Sequence, residues 1–439
     1  MVSKCRLANG DPSDVASVPR LPLVDAFVDR LRAANFAFDP STHMIVSQHM
    51  LATNLTLFRA LFDLGVSPKQ TYVIGKGYST SLRCVEALRS MGARVTDDAP
   101  PPHPGQYASQ RTKELEQFWA SIDGDRILAS RNPVILDDVG GRLLARAARC
   151  IDTYRLVGVE QTSSGIRRLE DLGVAIPVVN LAEAGAKTAH ESPLVAEGIL
   201  ERLDALSPGS WPNVDVGVIG LGSIGLSIVS ALKARGINVA CYDIKKGRNS
   251  DASSRRAIGD IFSTSDVIFG CTGRPLFEEW PAPSHRPGLT LVSCSSEDIE
   301  FAAILRRGAK PISTAWPAQD CVVRHPAGDI TILSGGYPLN FDCSGISLPE
   351  QAIQLTTTLT LAGIVTAASM LSGTDEAIEP GLYRIPVELQ ATIIDLYETI
   401  GGRWAAPVPT LRRLAASTIG RNPQLGKLLG FAKRHLVRS

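Results

Sequence analysis

The sequence predicts an α/β protein made of two parallel α/β units, and two patterns carry this prediction. Short apolar strands alternate with amphipathic helices from residue 19 to about residue 99, as in a parallel sheet covered by helices. A turn cluster rich in Ser, Pro and Gly at residues 204–213 precedes a second alternating run, which extends to about residue 340. The chain of 439 residues, 44% of them hydrophobic, is long and apolar enough for two cores.

Composition and charge exclude several classes of function. The 45 Lys and Arg residues balance 44 Asp and Glu residues, so there is no electrostatic basis for binding nucleic acid or a membrane surface. The eight cysteines form no C-x-x-C pair, which disfavours a disulfide framework or a zinc ribbon, and no metal site is predicted. The polar N-terminus lacks a signal-peptide core, and residues 355–371 predict a packed helix. We therefore expect a soluble cytoplasmic protein.

The elements of the first unit follow from local pattern. A helix is predicted over residues 49–65, where apolar residues recur every three or four positions before a glycine. The segment QTYVIGKG at 70–77 predicts a strand, and SLRCVEALRSMG at 81–92 predicts the next helix. After a polar, proline-rich loop, two further β/α units are predicted, with strands at 133–136 and 155–159.

The second unit begins with the strand VDVGVIG at 214–220, followed by a helix to about Arg235 and the strand INVACYD at 237–243. A later strand, 266–270, runs into a loop of small residues. From Leu348 the chain is predicted to be helical, and it ends in a basic tail.

A glycine motif lies between the first strand and the first helix of the second unit. Gly220, Gly222 and Gly225 form G-x-G-x-x-G, whose glycines allow a tight turn, the approach of a pyrophosphate to the backbone, and close packing of helix on strand. The pyrophosphate then binds at the helix N-terminus, where unpaired N–H groups favour an anion. The motif predicts a Rossmann-type domain that binds a dinucleotide.

The predicted cofactor is NAD. Asp243 ends the next strand, 243 − 222 = 21 residues after Gly222, where a carboxylate binds the ribose hydroxyls and repels a 2′-phosphate. Lys245 and Lys246 leave NADP open, because basic residues there accommodate that phosphate. The loop after the 266–270 strand is expected to face the nicotinamide.

Over most of its length the sequence resembles S-adenosyl-L-homocysteine hydrolase, in six motifs that occur in the same order. The motifs are ILDDVGG (135–141), GVEQTSSGIRRLE (158–170), IPVVNLAEAGAKTAHES (176–192), GLGSIG (220–225), GCTG (270–273) and LSGGYPLNFD (333–342). The resemblance implies a homo-oligomer in which an NAD-binding Rossmann domain, 191–345, is inserted in a parallel α/β substrate domain. The substrate domain would comprise 1–190 and the return helices 346–400, with a basic tail at 401–439.

The resemblance also implies a reaction on a small-molecule substrate. Tightly bound NAD would oxidise a ribose 3′-hydroxyl, which acidifies the neighbouring C–H and lets a 5′ thioether leave. Lys187 would be the base or proton shuttle, and Glu191 would face the same way one helical turn later. His49 and Asp138 also match active-site positions, and Gln161 replaces a glutamate. Each has a plain structural interpretation as well: a surface lysine, a packed histidine or an acid that ends a strand.

By the same resemblance, a larger set of residues would contact NAD. These are Thr162, Ser163, Ser164, Ser192, Gly220, Gly222, Ser223, Ile224, Gly225, Asp243, Cys271, Thr272, Gly273, Cys294 and Asn340.

The departures from that family lie in substrate recognition. Leu51 and Thr53 occupy the positions at which the family has a threonine and a glutamate that bind adenine. Ser296 occupies a position at which the family has a histidine. The C-terminal motif that reaches a neighbouring subunit's NAD is not recognisable. Lys427, Lys433 or Arg434 in the basic tail would replace it, unless the tail is a solvated helix face. We therefore expect NAD to oxidise a secondary hydroxyl of another, nucleoside-like substrate. A genuine adenosylhomocysteinase, an inactive NAD-binding regulator and a simple dehydrogenase with exchangeable NAD remain alternatives.

Overall fold

The computed structural model describes residues 16–96, 104–150, 155–206, 213–243, 258–279, 284–311, 320–372 and 377–402. Lys245, Lys246 and the basic tail with Lys427 and Lys433 lie outside the described residues. Contacts divide the chain into two compact units. The described residues of the first unit lie within 16–96, 112–191 and 349–402, and those of the second unit lie within 104–111 and 192–348.

The described helices are, in chain order, α1 (Pro22–Ala33), α2 (Ala52–Asp63), α3 (Leu82–Ser90), α4 (Tyr107–Ser121), α5 (Gly124–Ala129), α6 (Arg142–Ala147), α7 (Ser163–Asp171), α8 (Gly185–Leu206), α9 (Ser223–Ala234), α10 (Ile258–Thr264), α11 (Ala302–Leu305), α12 (Glu350–Ser372) and α13 (Val387–Thr399). Short 3-10 turns cover Pro68–Gln70 and Leu333–Gly336.

The described strands are β1 (His43–Ser47), β2 (Thr71–Ile74), β3 (Arg94–Thr96), β4 (Val134–Asp138), β5 (Leu156–Glu160), β6 (Pro177–Asn180), β7 (Val216–Ile219), β8 (Val239–Tyr242), β9 (Val267–Gly270), β10 (Thr290–Ser293), β11 (Lys310–Pro311), β12 (Cys321–Val323), β13 (Ile330–Ile332) and β14 (Gly381–Tyr383).

The first unit is a parallel sheet in the order β14-β6-β5-β4-β1-β2-β3. Its central strands are buried on both faces, which explains their near-continuous apolar sequences. One hydrophobic cluster packs α1, α2, α12 and α13 on one face, and a second packs α4 to α7 on the other. The strand order reverses between β1 and β4, so the crevice at their carboxyl ends is where this architecture binds ligands.

Helix α12 lies in the core of the first unit. It is long and apolar enough to cross a membrane by length and composition, yet 83% of its most apolar window is buried in the protein. Leu355, Leu359 and Leu361 are fully buried in the cluster that covers the sheet. The helix therefore packs as the sequence predicts.

The second unit is a seven-stranded sheet in the order β11-β12-β13-β10-β9-β7-β8, parallel except for the β11–β12 and β12–β13 pairs. Clusters of buried residues cover both of its faces. The strand order reverses between β7 and β9, which places a ligand crevice at the carboxyl ends of these strands. The predicted α/β fold with a Rossmann-type domain is confirmed.

Candidate functional sites

The glycine motif forms the turn between β7 and α9, as predicted. Gly220 has φ +96°, and a Cβ there would lie 2.7 Å from the backbone of Cys271 at the end of β9. A Cβ on Gly225 would collide with the carbonyl oxygen of Gly220, so α9 packs directly on the turn. Each of these two glycines is therefore required by the backbone itself.

Gly222 differs from the other two glycines because a Cβ there would meet nothing within 4 Å. It lies at the N-cap of α9 and leaves that helix end without a side-chain cap. The first N–H groups of α9 therefore lack a side-chain cap at a positive helix end, beside the open space at Gly222. This cradle fits a pyrophosphate.

Asp243 directly follows β8, and its Oδ2 accepts a hydrogen bond from the Leu221 N–H at 2.7 Å. The carboxylate therefore sits against the glycine turn, where the ribose of a dinucleotide would bind. On the other side of the crevice, Cys271, Thr272 and Gly273 follow β9, and Cys294 follows β10. The glycine turn, Asp243, the residues after β9 and Cys294 therefore all lie at the carboxyl ends of neighbouring strands.

Asn340 supplies a further hydrogen-bond acceptor for a ligand in the second unit. Its side chain is 9% exposed, and among the described residues its Oδ1 atom has no hydrogen-bond donor. A buried amide oxygen without a donor is costly, and the carboxamide of NAD is a suitable donor. Ser192, on α8, is also buried. The donors and acceptors of this unit fit NAD.

Lys187 and Glu191 lie one turn apart on α8, in the part of that helix that belongs to the first unit, and they form an ion pair. Their side chains are 12% and 22% exposed. The Lys187 Nζ atom also donates to the main-chain oxygen of Gln161 at 3.2 Å. The ammonium group is therefore held in place from two sides, and the side chain as a whole keeps a small exposed fraction.

Gln161 and Gln48 hold a buried carboxylate between them. Their side-chain amides donate to Asp137 Oδ1 and Oδ2, each at 2.8 Å. Burial raises the pKa of Asp137 to about 6, against the effect of these two hydrogen bonds. Thr360 of α12 lies 3.4 Å from the Gln161 side-chain oxygen. The predicted site residue Gln161 thus connects Lys187 to Asp137.

Asp138 is fully buried, and its carboxylate accepts hydrogen bonds from the backbone. Its Oδ2 atom accepts from the N–H groups of Leu143 and Leu144 at 2.7 and 3.1 Å, at the start of α6. Glu160 lies beside it on β5, and its two oxygens accept from the N–H groups of Gly140 and Gly141. The pKa of Glu160 is raised mainly by burial and, to a smaller extent, by the nearby carboxyl group of Asp138.

The predicted hydroxyl triplet begins α7. Thr162 caps this helix by accepting from the Gly165 N–H, and its own hydroxyl donates to Glu160 at 2.6 Å. Ser164 donates to the Thr162 hydroxyl at 3.2 Å, and Ser163 is exposed. The hydroxyls of Thr162 and Ser164 thus bond within the first unit, and the contacts predicted with NAD stay predictions.

His49 lies between β1 and α2, at the carboxyl end of β1. Its Nδ1 atom is 2.6 Å from the hydroxyl of buried Ser79, and its ring packs edge-on against Tyr78. This contact fixes the orientation of the imidazole. His49 and Asp138 therefore both lie at the switch point of the first sheet, at the ends of β1 and β4.

An uncharacterized protein of Mycobacterium tuberculosis, Rv0104, is 34% identical to this chain over 359 residues, which cover 80% of this chain and 68% of that protein. This chain belongs to the same family. A second strain of the bacterium carries an equally similar uncharacterized protein, MT0113.

The NAD-binding domain of D-isomer specific 2-hydroxyacid dehydrogenases matches residues 188–274. Erythronate-4-phosphate dehydrogenase of Teredinibacter turnerae is 34% identical over 110 residues, 24% of this chain and 28% of that protein. A solved D-isomer specific 2-hydroxyacid dehydrogenase of Lactobacillus delbrueckii is 15% identical and covers 60% of this chain and 74% of its own, with a TM-score of 0.25. The protein is an NAD-dependent oxidoreductase, and its cofactor is NAD.

The predicted membership in the S-adenosyl-L-homocysteine hydrolase family is wrong, because the matched domain is that of the 2-hydroxyacid dehydrogenases. The error has a physical reason. A glycine turn, an acid after the second strand and a small-residue loop are requirements of dinucleotide binding, which many enzyme families share. The hydrolase reaction was predicted from that resemblance and is therefore not supported. The homo-oligomer and the cytoplasmic location stay predictions.

Several residues that shape these sites were missed by the sequence analysis. They are Gln48, Ser79, Asp137, Glu160, Asp298 and Glu300. Glu160 and Asp137 end buried strands, a position that favours site residues in parallel sheets. Asp298 and Glu300 lie in the acidic run SSEDIE, which resembles an exposed turn although both side chains are buried.

Proposed function

We propose that this protein transfers a hydride between NAD and the carbon of a secondary alcohol or its ketone, and that Lys187 carries the accompanying proton. The ion pair of Lys187 with Glu191 carries the proposal. Oxidation of an alcohol to a ketone removes a hydride from carbon and a proton from oxygen, so the enzyme needs a proton-transfer group besides its cofactor. Lys187 is partly accessible and held in a fixed position, as such a group must be.

The balance of the reaction assigns each group a role. In the direction of ketone reduction, bound NADH supplies the hydride. The Lys187 ammonium group donates its proton to the carbonyl oxygen, which becomes the hydroxyl of the alcohol, and solvent then reprotonates the amine. The ion pair with Glu191 holds the Lys187 amino group in position for this transfer. In the direction of oxidation the neutral amine accepts the proton.

The substrate class proposed first is a 2-hydroxy acid with its 2-oxo acid, because the matching domain comes from dehydrogenases of that class. A neutral polyhydroxylated molecule, such as a sugar or nucleoside, is the second candidate. Buried carboxyl groups favour it, because Asp137, Asp138 and Glu160 crowd the strand ends of the first unit. A negative charge on any of these groups would oppose an anionic substrate.

The test is turnover by the purified full chain, followed by the near-ultraviolet absorbance of NADH. A panel of 2-oxo acids and a panel of neutral keto sugars would be supplied separately. Lys187→Ala should lower kcat by about 10²–10⁴-fold on the accepted substrate. NADH affinity should remain within about twofold, because Lys187 lies outside the unit that carries the glycine motif.

Lys113→Ala is the matched control, since Lys113 is an exposed helical lysine of the same unit. It should leave kcat unchanged. Undiminished turnover by Lys187→Ala would contradict the role of Lys187. Tight NADH binding without turnover on either panel would contradict both substrate classes and favour an inactive regulator.

A further inference from the structure

The acidic segment after β10 holds a buried carboxyl group that contacts the loop on the nicotinamide side of the crevice. Glu300 is 1% exposed, and its Oε1 atom accepts from the Gly273 N–H at 2.6 Å and from the Ser295 hydroxyl. Its Oε2 atom lies 2.8 Å from the Thr272 hydroxyl oxygen. Thr272 and Gly273 follow β9, where the strand order places the crevice.

Besides accepting from the Arg274 N–H at 3.1 Å, the Thr272 hydroxyl has one proton for two neighbouring acceptors. Its oxygen lies 2.8 Å from Glu300 Oε2 and 2.8 Å from the main-chain oxygen of Arg274, and both of these atoms accept hydrogen bonds when Glu300 is ionised. One of the two contacts must then lack a proton. If Glu300 is protonated on Oε2, it donates to Thr272, which donates to Arg274, and every contact is satisfied.

The surroundings of Glu300 favour the neutral form. Burial, opposed by the hydrogen bonds with Ser295, Gly273 and Thr272, raises the pKa of Glu300 to about 7. No Lys, Arg or His among the described residues forms an ion pair with it. The Cys271 thiol after β9 interacts with it and with the Cys294 thiol after β10. Its own segment also carries the buried carboxyl groups of Glu297 and Asp298. The pKa of Cys271 is raised, and the hydrogen bond with Cys294 is the largest cause. The Cys271 thiol therefore stays protonated near neutral pH.

We propose that Glu300 is a positioning residue of the NAD site, which fixes the loop of Thr272, Gly273 and Arg274 through a hydrogen-bond chain that is complete only when Glu300 is a neutral acid. Loss of the proton moves the Thr272 hydroxyl from the Arg274 carbonyl to Glu300 and leaves a buried charge without a cation. The loop then holds the cofactor less well. This inference rests on NAD binding and does not depend on the substrate or on Lys187.

The proposal predicts a pH dependence of cofactor binding. A single group that must be protonated and titrates near pH 7 raises the apparent Kd by up to about tenfold between pH 6 and pH 8. NADH affinity of the wild-type chain, measured by the fluorescence of bound NADH at constant ionic strength, should fall over this interval. Glu300→Gln has the donor and acceptor of the neutral acid, so its affinity should stay high and nearly constant.

Two further variants complete the experiment. Glu300→Ala removes the chain of contacts and should bind NADH at least about tenfold more weakly at every pH, so rescue by glutamine separates hydrogen bonding from simple packing. Asp298→Asn is the matched control. Asp298 is also buried in this segment, with its pKa raised by burial to about 6, but it holds the N–H groups of Gly105 and Tyr107 instead. This control should keep the wild-type pH dependence.

Three results would overturn the proposal: a wild-type NADH affinity that does not change with pH, a Glu300→Gln variant that keeps the wild-type dependence, or a Glu300→Gln variant that binds weakly throughout. If Glu300→Ala fails to fold, the comparison of wild type with Glu300→Gln still decides. These experiments measure NADH binding and not turnover. A negative result for Glu300 therefore does not contradict the proposed role of Lys187, and a negative result for Lys187 does not affect the test of Glu300.

Discussion

Asp138 shows how a residue that resembles a catalytic acid can serve the fold. The N-cap of α6 is Gly141, which has no side chain to satisfy the exposed N–H groups of the first helical turn. The Asp138 carboxylate, three residues earlier, accepts from Leu143 and Leu144, the second and third residues of that helix. An acid at a strand end predicts either chemistry or a turn, and only the three-dimensional contacts separate the two.

Replacement of Asp138 by alanine tests this role. We expect Asp138→Ala to reduce the free energy of unfolding by about 1–3 kcal/mol, because two N–H groups at a buried helix start lose their acceptor. Asp138→Asn keeps one acceptor oxygen and should recover much of this loss. Urea denaturation measures both variants. If Asp138→Asn abolished turnover and left stability unchanged, a direct role in proton transfer would replace the structural one.

At the scale of elements, local patterns predicted β2, α3, β7, α9 and β8 within a few residues. Each of these elements carries its own signal, such as an apolar run, a helical period or a glycine turn. In contrast, β14 has three residues and pairs with β6, about 200 residues earlier in the chain, in the register of Gly381 with Pro177. Its position depends on long-range pairing, for which the local sequence has no signal.

In the glycine turn, Gly222 is expected to matter for cofactor binding but not for the stability of the fold. Because a Cβ at Gly222 meets open space, Gly222→Ala should leave thermal stability nearly unchanged and weaken NADH binding by about tenfold or more, since the added methyl group occupies the pyrophosphate cradle. NADH fluorescence titration and thermal denaturation measure the two effects.

Gly259→Ala is the control for that experiment. Gly259, on α10 of the same unit, also has open space at its Cβ position, and the substitution should leave NADH affinity unchanged. In Gly225→Ala the new Cβ meets the Gly220 carbonyl, so this variant should lose stability as well as affinity. Full NADH affinity in Gly222→Ala would place the pyrophosphate elsewhere.

At the scale of the whole molecule, the sequence predicted both alternating runs and the cofactor side of the second unit, but few of the buried acids. The glycine motif could be predicted because every dinucleotide site of this kind needs the same backbone geometry. Glu300 could not, because a carboxyl group in a polar segment is exposed in most proteins. Glu160 was missed although it ends the buried strand β5, a position that favours site residues. Their burial depends on neighbouring strands that bring backbone N–H groups and hydroxyls around each carboxyl group.

These buried acids give the folded chain a characteristic dependence on pH. Burial raises the pKa of Glu300 to about 7, and it also raises the pKa of Glu160, whereas glutamates in an unfolded chain titrate near 4.3. The folded protein therefore binds more protons than the unfolded chain in this range, and the free energy of unfolding must fall as pH rises. The half-buried His43 and the buried His190 have pKa values lowered by desolvation and act in the opposite direction, but only where the unfolded histidines are charged.

The interval above the ordinary histidine pKa isolates the carboxyl groups. Between pH 6.5 and pH 8 we expect the Tm measured by calorimetry to fall, as Glu300 and then Glu160 ionise in the folded state. Glutamine cannot ionise, so in Glu300→Gln the Tm of the second unit should fall less with pH than in the wild type. Any fall in the Tm of the first unit that is caused by Glu160 should remain. A Tm that rises over this interval would show that these acids are already ionised in the folded protein. In that case the hydrogen-bond chain that requires a neutral Glu300 would be wrong as well.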